Sequence, residues 1–361
     1  MTIPTIHLKP MAIVLFAASL LLAGCGETAY YWQAGMGQME ILRKRRPIEE
    51  VLADSVESEV VKTKLRLVLQ VREYGGKFMA MPQDGSYRYY ADLKRDYVSW
   101  LVVASQRFAV KEVTQCYLVV GCLGYRGYFD PEDAKAFAAD LTQEGYDVTV
   151  RPVRAYSTLG WFDDPVLNTY IRSSDLNLIS TILHEQAHQV LFIKGDTAFN
   201  ESFATFVEGE GVKQFLKQKG SKGDALIEHY KKADADQALF QQIVLNGRKQ
   251  LETLYKKTLP PVEMERAKAE TFEAMRNEYR KQKKSFEVLN YDHWFNRDLN
   301  NAHLVGVQQY YSWVGAFRQL FRQEDSDFPR FFAAVRLLSE LPEEQRTARL
   351  KALEEKTLAR N

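Results

Sequence analysis

The sequence predicts an α+β protein, a small mixed α/β layer followed by a largely helical C-terminal half. Three observations predict it. Strand-like apolar runs, "SWLVVASQRF", "CYLVVGCLGYRGYF" and "YDVTVRPV", are confined to the stretch from Tyr87 to Val153. On both sides of that stretch, apolar residues recur at the spacings of three, four and seven that mark a helix. The chain has 361 residues, 46% hydrophobic and 12% aromatic, enough for one large core or two modest ones, so a folded globular protein is expected. Its 48 basic and 47 acidic side chains leave a formal net charge of +1. That balance gives no global electrostatic reason to bind nucleic acid or an anionic membrane surface, and no nucleic-acid partner is expected.

Any membrane attachment has to come from the N-terminus. Met11 to Gly24, "MAIVLFAASLLLAG", is an apolar run too short for a comfortable transmembrane helix and suited to the core of a signal peptide, with Lys9 and nearby His7 as a thin basic lead. It closes in "LLAGC", Leu21 to Cys25, which resembles a bacterial lipobox: small residues precede a cysteine that is lipidated as the leader, residues 1–24, is removed. Several acyl chains on Cys25 would bind a membrane durably, since each buried methylene adds roughly 0.8 kcal/mol. The expected mature chain is a soluble domain tethered to the cell envelope. Gly26 stands where an aspartate would mark inner-membrane retention, so the expected location is the outer membrane, facing the periplasm. An uncleaved anchor helix is the alternative.

Residues 25–85 read as a helical segment. Met39, Leu42, Ile48, Val51 and Leu52 keep helical spacing, and Pro47 restarts the helix. The basic run "ILRKRRP" reads as a solvated face that a tether at Cys25 would bring near lipid headgroups. Residues 86–174 form the α/β layer, with a helix opened by Asp130 and Pro131 and closed by Gly145. Cys116 and Cys122 leave two readings open, a disulfide across a tight hairpin, which an exported compartment permits, or two buried thiols. From Asp175 onward the chain reads as helices, beginning with "LNLISTILHEQAHQVLFIKG", stopped by Gly195, and "DTAFNESFATFVEGEGVKQFLKQKG". Residues 175–361 are the helical half, forming one unit with 86–174.

The chemistry concentrates in "HEQAHQ", residues 184 to 189. On a helix, residues i and i+4 project from one face a turn apart, so His184 and His188 can ligate one zinc ion. Glu185, beside the first histidine, then points toward the open coordination position, where a general base for a metal-activated water belongs. The chain has only 6 histidines, and the helix around these two is otherwise apolar. Buried polar groups with nothing to bind would be costly there. "FNESFATFVE" on the next helix carries Glu201, Thr205 and Glu208 on one stripe, and a tight hairpin would return Glu201 to the histidine pair. Two histidines and a glutamate with the fourth position open are the ligand set of a catalytic zinc, one per chain.

"HEQAH" followed by "NESFA" resembles the gluzincin metallopeptidases, and "NESFATFVE" the aminopeptidase form of their second motif. The resemblance implies Glu201 as the third ligand and Asn200 as its neighbour, and a gluzincin-like zinc peptidase for the helical half. The connection from His188 to Glu201 is shorter than in the familiar families. Thr205 also stands where thermolysin-like enzymes place an aspartate that orients a zinc histidine. Glu208, Asp196 and Asp175 are the candidates for that supporting role. "YYWQAGMGQMEILRKRRPIEEVLAD", "GYRGYFD", "AYSTLGWFDDPVL", "HEQAHQ", "GDTAFNESFATFVE" and "LNNAHL", in this order, are similar to a family of bacterial aminopeptidases that are often lipoproteins. That similarity implies a peptide or protein substrate.

Further residues enter as candidates. Ala155 to Phe162, including Gly160, lies just before the zinc helix, where gluzincins have an edge strand that pairs with substrate; a structural loop of packed aromatics is the other reading. Tyr310, Tyr311 or His303 could donate to the tetrahedral oxyanion, although tyrosines at helical spacing are more often core residues. Trimming a free amino terminus would need an acidic anchor such as Glu208 or Asp164, while an endopeptidase would need none. A rival from another class is a non-catalytic envelope lipoprotein that uses a zinc-stabilised hairpin for binding or assembly. Glu185 argues for the enzyme, since a structural site would be closed by a fourth protein ligand.

Overall fold

The computed structural model describes the backbone of residues 10–117, 121–158 and 162–358, and the side chains of these except 10–26, 308–311 and 357–358. Helix α1 (Pro10–Lys44) runs into β1 (Arg45–Pro47), α2 (Ile48–Ala53) and α3 (Glu59–Met79). Pro47 marks the expected restart, since its locked φ suits the start of α2 and cannot continue α1. Then come β2 (Tyr89–Ala91), β3 (Ser99–Ser105), β4 (Gln115–Tyr117), β5 (Gly121–Leu123), β6 (Arg126–Tyr128), α4 (Pro131–Gln143), β7 (Asp147–Val153) and β8 (Val166–Leu167). Asp130 caps α4 by accepting from Glu132 N, and Gly145 beyond its end takes the left-handed φ of +89°. The remainder is helical: α5 (Asn168–Ile171), α6 (Asp175–Val190), α7 (Thr197–Lys217), α8 (Ser221–Leu254), α9 (Pro261–Gln282), α10 (Asp292–Asn296), α11 (Asn301–Tyr311), α12 (Val314–Gln323), α13 (Phe328–Ser339) and α14 (Glu343–Leu358). The fold is therefore α+β with helices dominant, as the sequence predicts.

Among the described residues the strands form two three-stranded sheets, ordered β1-β2-β8 and β6-β3-β7, and the hairpin β4-β5. Cys116 and Cys122 face each other in register across the hairpin and are bonded, which selects the disulfide of the two readings. The largest core joins α2, α3, β2 and β8 to α6, α7, α12, α13 and α14. A second core lies among α8, α9 and α10, and a third between α4 and the sheet of β3, β6 and β7. The N-terminal helices thus share their interior with the helices that carry the two motifs. Among the described residues, no helix is long and apolar enough to cross a membrane.

One local expectation is corrected, and one open choice is narrowed to the loop reading. Helix α6 ends at Val190 and not at Gly195, because Leu191 turns extended and its successors form the turn into α7. Ala155 to Thr158 form no strand; Ser157 and Thr158 are drawn instead into hydrogen bonds with the buried carboxylate of Asp164. The sheet edge before the site is β7. Gly160 lies outside the described residues.

Candidate metal centre

Helix α6 begins where Ser174 accepts from Asn177 N, and it buries Leu178, Ile179, Ile182, Leu183, Ala187 and Val190 in the main core. This apolar stripe fixes the rotation of the helix and turns the adjoining stripe, His184 and His188, toward α7. Helix α7 is fixed in the same way from its other side. Phe199, Phe203 and Phe206 pack edge-to-face, tilted and, for Phe203 on Phe331, stacked against Phe317, Phe321, Phe331 and Phe332, leaving Glu201 and Glu208 to face α6.

The turn between the helices is held by named bonds. Gly195 takes a φ of +85°, and Asp196 caps α7 by accepting from Phe199 N at 3.1 Å. Asn200 clasps Ile193 from both sides, donating to its carbonyl at 2.7 Å and accepting from its N–H at 2.8 Å. The other carboxylate oxygen of Asp196 is paired with Arg346 of α14 at 2.8 Å. Asp196 is thus taken up by the turn, and Asp175 pairs with Lys64. Of the three supporting candidates, Glu208 is the one brought to a ligand: His184 Nδ1 donates to it at 3.1 Å. This bond aims His184 Nε2 at Glu201, 3.4 Å away, and His188 Nε2 lies 3.8 Å from the other Glu201 oxygen.

One donor atom from each of His184, His188 and Glu201 lies within 4.8 Å of the others, so the three could hold a metal ion. Their environment fits a cation. Glu185, Glu201 and Glu208 crowd the two imidazoles, and burial opposes a charge on His184, but Glu201 and Glu208 outweigh it and raise the His184 pKa well above the ordinary value. Burial, and then His184, push His188 down to about 4, which leaves it neutral and able to ligate. Burial likewise opposes the charge of Glu201; His184, His188 and, more weakly, Arg151 hold its carboxyl below the usual range. Mixed imidazole and carboxylate donors are a set that zinc accepts. The recess stays accessible, with His184 16%, Glu201 19% and Glu208 22% exposed.

Glu185 has no hydrogen-bond or ion-pair partner among the described residues. Burial pushes its carboxyl up to about 7, the negative charges of Glu201, Asp164 and Glu208 add to this, and His184 opposes it. Two buried phenols, Tyr87 and Tyr170, lie close enough for its charge to raise their pKa values, after burial as the larger cause. Sequence reasoning missed both; Tyr87 takes a left-handed φ of 60°, which no local pattern announces. Asp164, considered as an amine anchor, is spent on Ser157 and Thr158, and Glu208 on His184. His303 is placed at the start of α11, where its Nδ1 accepts from Asn300 N at 3.2 Å to close a capping box. The side chains of Cys25, Tyr310 and Tyr311 lie outside those described.

Because Glu208 sets the orientation of His184, Glu208→Gln is expected to weaken zinc binding roughly 10- to 100-fold without unfolding the chain. Competition with a chromophoric chelator measures it, and wild-type affinity would remove Glu208 from that role.

A model of the family described as "Putative aminopeptidase" matches residues 29–350. No curated protein and no solved structure matches the chain.

Proposed function

The chain belongs to that aminopeptidase family, and from this premise we propose that it is a zinc-dependent peptidase, trimming peptides from the amino terminus and tethered to the cell envelope through Cys25. The observation that carries the reading is the convergence of His184, His188 and Glu201 on one point, with Glu185, unpartnered among the described residues, beside them and Glu208 behind His184.

Zinc held by these three side chains would supply a Lewis acid and lower the pKa of a water there to about 7. Glu185, beside that point, is the group that would accept a proton from an attacking water and deliver it to the departing nitrogen. A carboxyl held near neutrality by burial is matched to both transfers. Glu208 holds a proton of His184 at Nδ1, the arrangement in which Nε2 would be the atom left to hold the metal. Asn200 and Asp196 hold the turn that sets α7 against α6. The envelope location rests on "LLAGC", and the bonded pair Cys116 and Cys122 fits an oxidising compartment.

Elemental analysis of the purified chain, with mass spectrometry of a mixed peptide library and labelled-palmitate incorporation in the producing cells, tests the reading. One zinc per chain, stepwise loss of N-terminal residues and a label that disappears in Cys25→Ala are expected. Internal cuts would keep the mechanism and discard the aminopeptidase specificity. Zinc without cleavage would favour a zinc-stabilised binding or assembly lipoprotein, and the absence of zinc would refute the site.

A further inference from the structure

From Glu27 onward helix α1 has two opposite faces, and the fold uses one of them. On the inner face Arg126 Nη1 donates to Glu27 at 2.8 Å, and the same guanidinium lies 4.0 Å from the centre of the Tyr30 ring. Gln33 donates to the Gly127 carbonyl at 3.3 Å and accepts from Phe129 N at 3.0 Å, which fastens α1 to β6. Gly37 lets the helix close on Phe129, whose ring a β-carbon there would meet at 2.1 Å, and Ile41 is buried in the main core. On the outer face, at successive spacings of four, three and four, stand Trp32, 71% exposed, Met36, 45%, Met39, 51%, and the exposed Arg43. Single apolar side chains on a surface are ordinary; three large ones on one stripe that ends in a cation mark an interaction face.

Two observations say what covers it. Cys25 stands two residues before Glu27, so an anchor there is joined to the docked part of α1 by about 7 Å of chain even at full extension. No linker separates body from bilayer. The register agrees: α1 is helical through position 25, and positions 25 and 32 are seven apart, so the anchor position and the stripe fall on one side of the helix. We propose that α1 seats the protein on a phospholipid surface, lying along it with Trp32, Met36 and Met39 among the headgroups and upper acyl chains and Arg43 against lipid phosphates, an assignment that rests on the tether at Cys25. An amphipathic helix of this kind sinks its apolar face roughly 5 to 10 Å, the depth that tryptophan favours. The attraction is local, one apolar stripe and its terminal cation, and needs no net charge on the chain. Because the inner face is bonded to β6 and packed into the main core, seating α1 fixes the orientation of the whole body, which rides flush on the membrane.

The test places the full chain, purified from its producing cells, in vesicles of phosphatidylethanolamine and phosphatidylglycerol with and without bromine on the acyl chains. Palmitate labelling of the same sample reports lipidation separately. The chain has 5 tryptophans, so the emission of Trp32 is taken as the difference between a chain and its Trp32→Phe counterpart. Brominated lipid is expected to remove most of the Trp32 emission. The paired change Met36→Asp with Met39→Asp should restore it, with label and circular dichroism as in the wild type. A labelled chain whose Trp32 emission is the same in both vesicles overturns the proposal; if iodide also fails to reach Trp32, a second copy or another protein covers the stripe instead. Quenching that survives the paired change overturns it too, since the anchor alone would then account for the nearness of Trp32. If Cys25 carries no label, the tether reading fails, and the same vesicles added to that chain decide the stripe: bromine quenching that the paired change removes upholds a lipid-seating face, and its absence refutes one.

Discussion

Replacing Glu185 by glutamine is expected to lower peptide hydrolysis about 10²- to 10⁴-fold, the range of a lost general base, while zinc content stays at the wild-type level. The amide has the shape of the carboxylate and cannot accept the proton. The change also removes one of the acids crowded around His184, so no loss of folding stability should accompany it. The fall should appear in kcat, because a base acting in the transition state contributes little to ground-state binding. Steady-state kinetics of both chains at equal zinc occupancy make the comparison, and undiminished turnover would rule out the assigned role.

Glu201→Ala is expected to abolish stoichiometric zinc binding and with it turnover. Two imidazoles on one face of α6 would remain, short of the three protein ligands of a catalytic site. The loss should also be visible without any substrate. Zinc at a hundredfold excess over its dissociation constant would stabilise the native wild type by about 2.7 kcal/mol. Returning zinc to the chelator-treated wild type should raise its thermal midpoint by several degrees, whereas the midpoint of Glu201→Ala should not move. A variant that still gains stability from zinc would place the third ligand elsewhere.

The residues of the candidate metal centre were the most legible in the sequence. His184, Glu185 and His188 are fixed by a helical period, and Glu201 by a second helix whose length and cap, Asp196, can be read directly. Glu208 was one of three supporting candidates, with Asp196 and Asp175, and only packing decides which acid meets a ring. Arg151 shows why other parts were illegible. "YDVTVRPV" alternates as a half-solvated strand does, so its polar face reads as surface, yet α11, from far along the chain, covers that face. Tyr87 and Tyr170 reach Glu185 through long-range packing that leaves no periodic trace. Local helices, caps and strands were readable because they obey neighbouring residues. The allocation of the N-terminal helices to the core of α6 and α7 was not, since it depends on which apolar faces find each other.

The clasp of Asn200 on Ile193 acts as a ruler for the whole centre. Each residue added to or removed from the turn ahead of a helix rotates that helix by about 100° unless the turn absorbs it. A turn bonded to its own helix at both faces of Ile193, and to α14 through Arg346, has little slack with which to absorb anything. A single inserted residue before Thr197 would swing Glu201 and Glu208 off the side of α7 that meets the imidazoles and bring aromatic side chains round in their place. The length of this connection is therefore as much a part of the candidate metal centre as the donor atoms, and its brevity is a condition of the geometry that brings Glu201 to the two histidines.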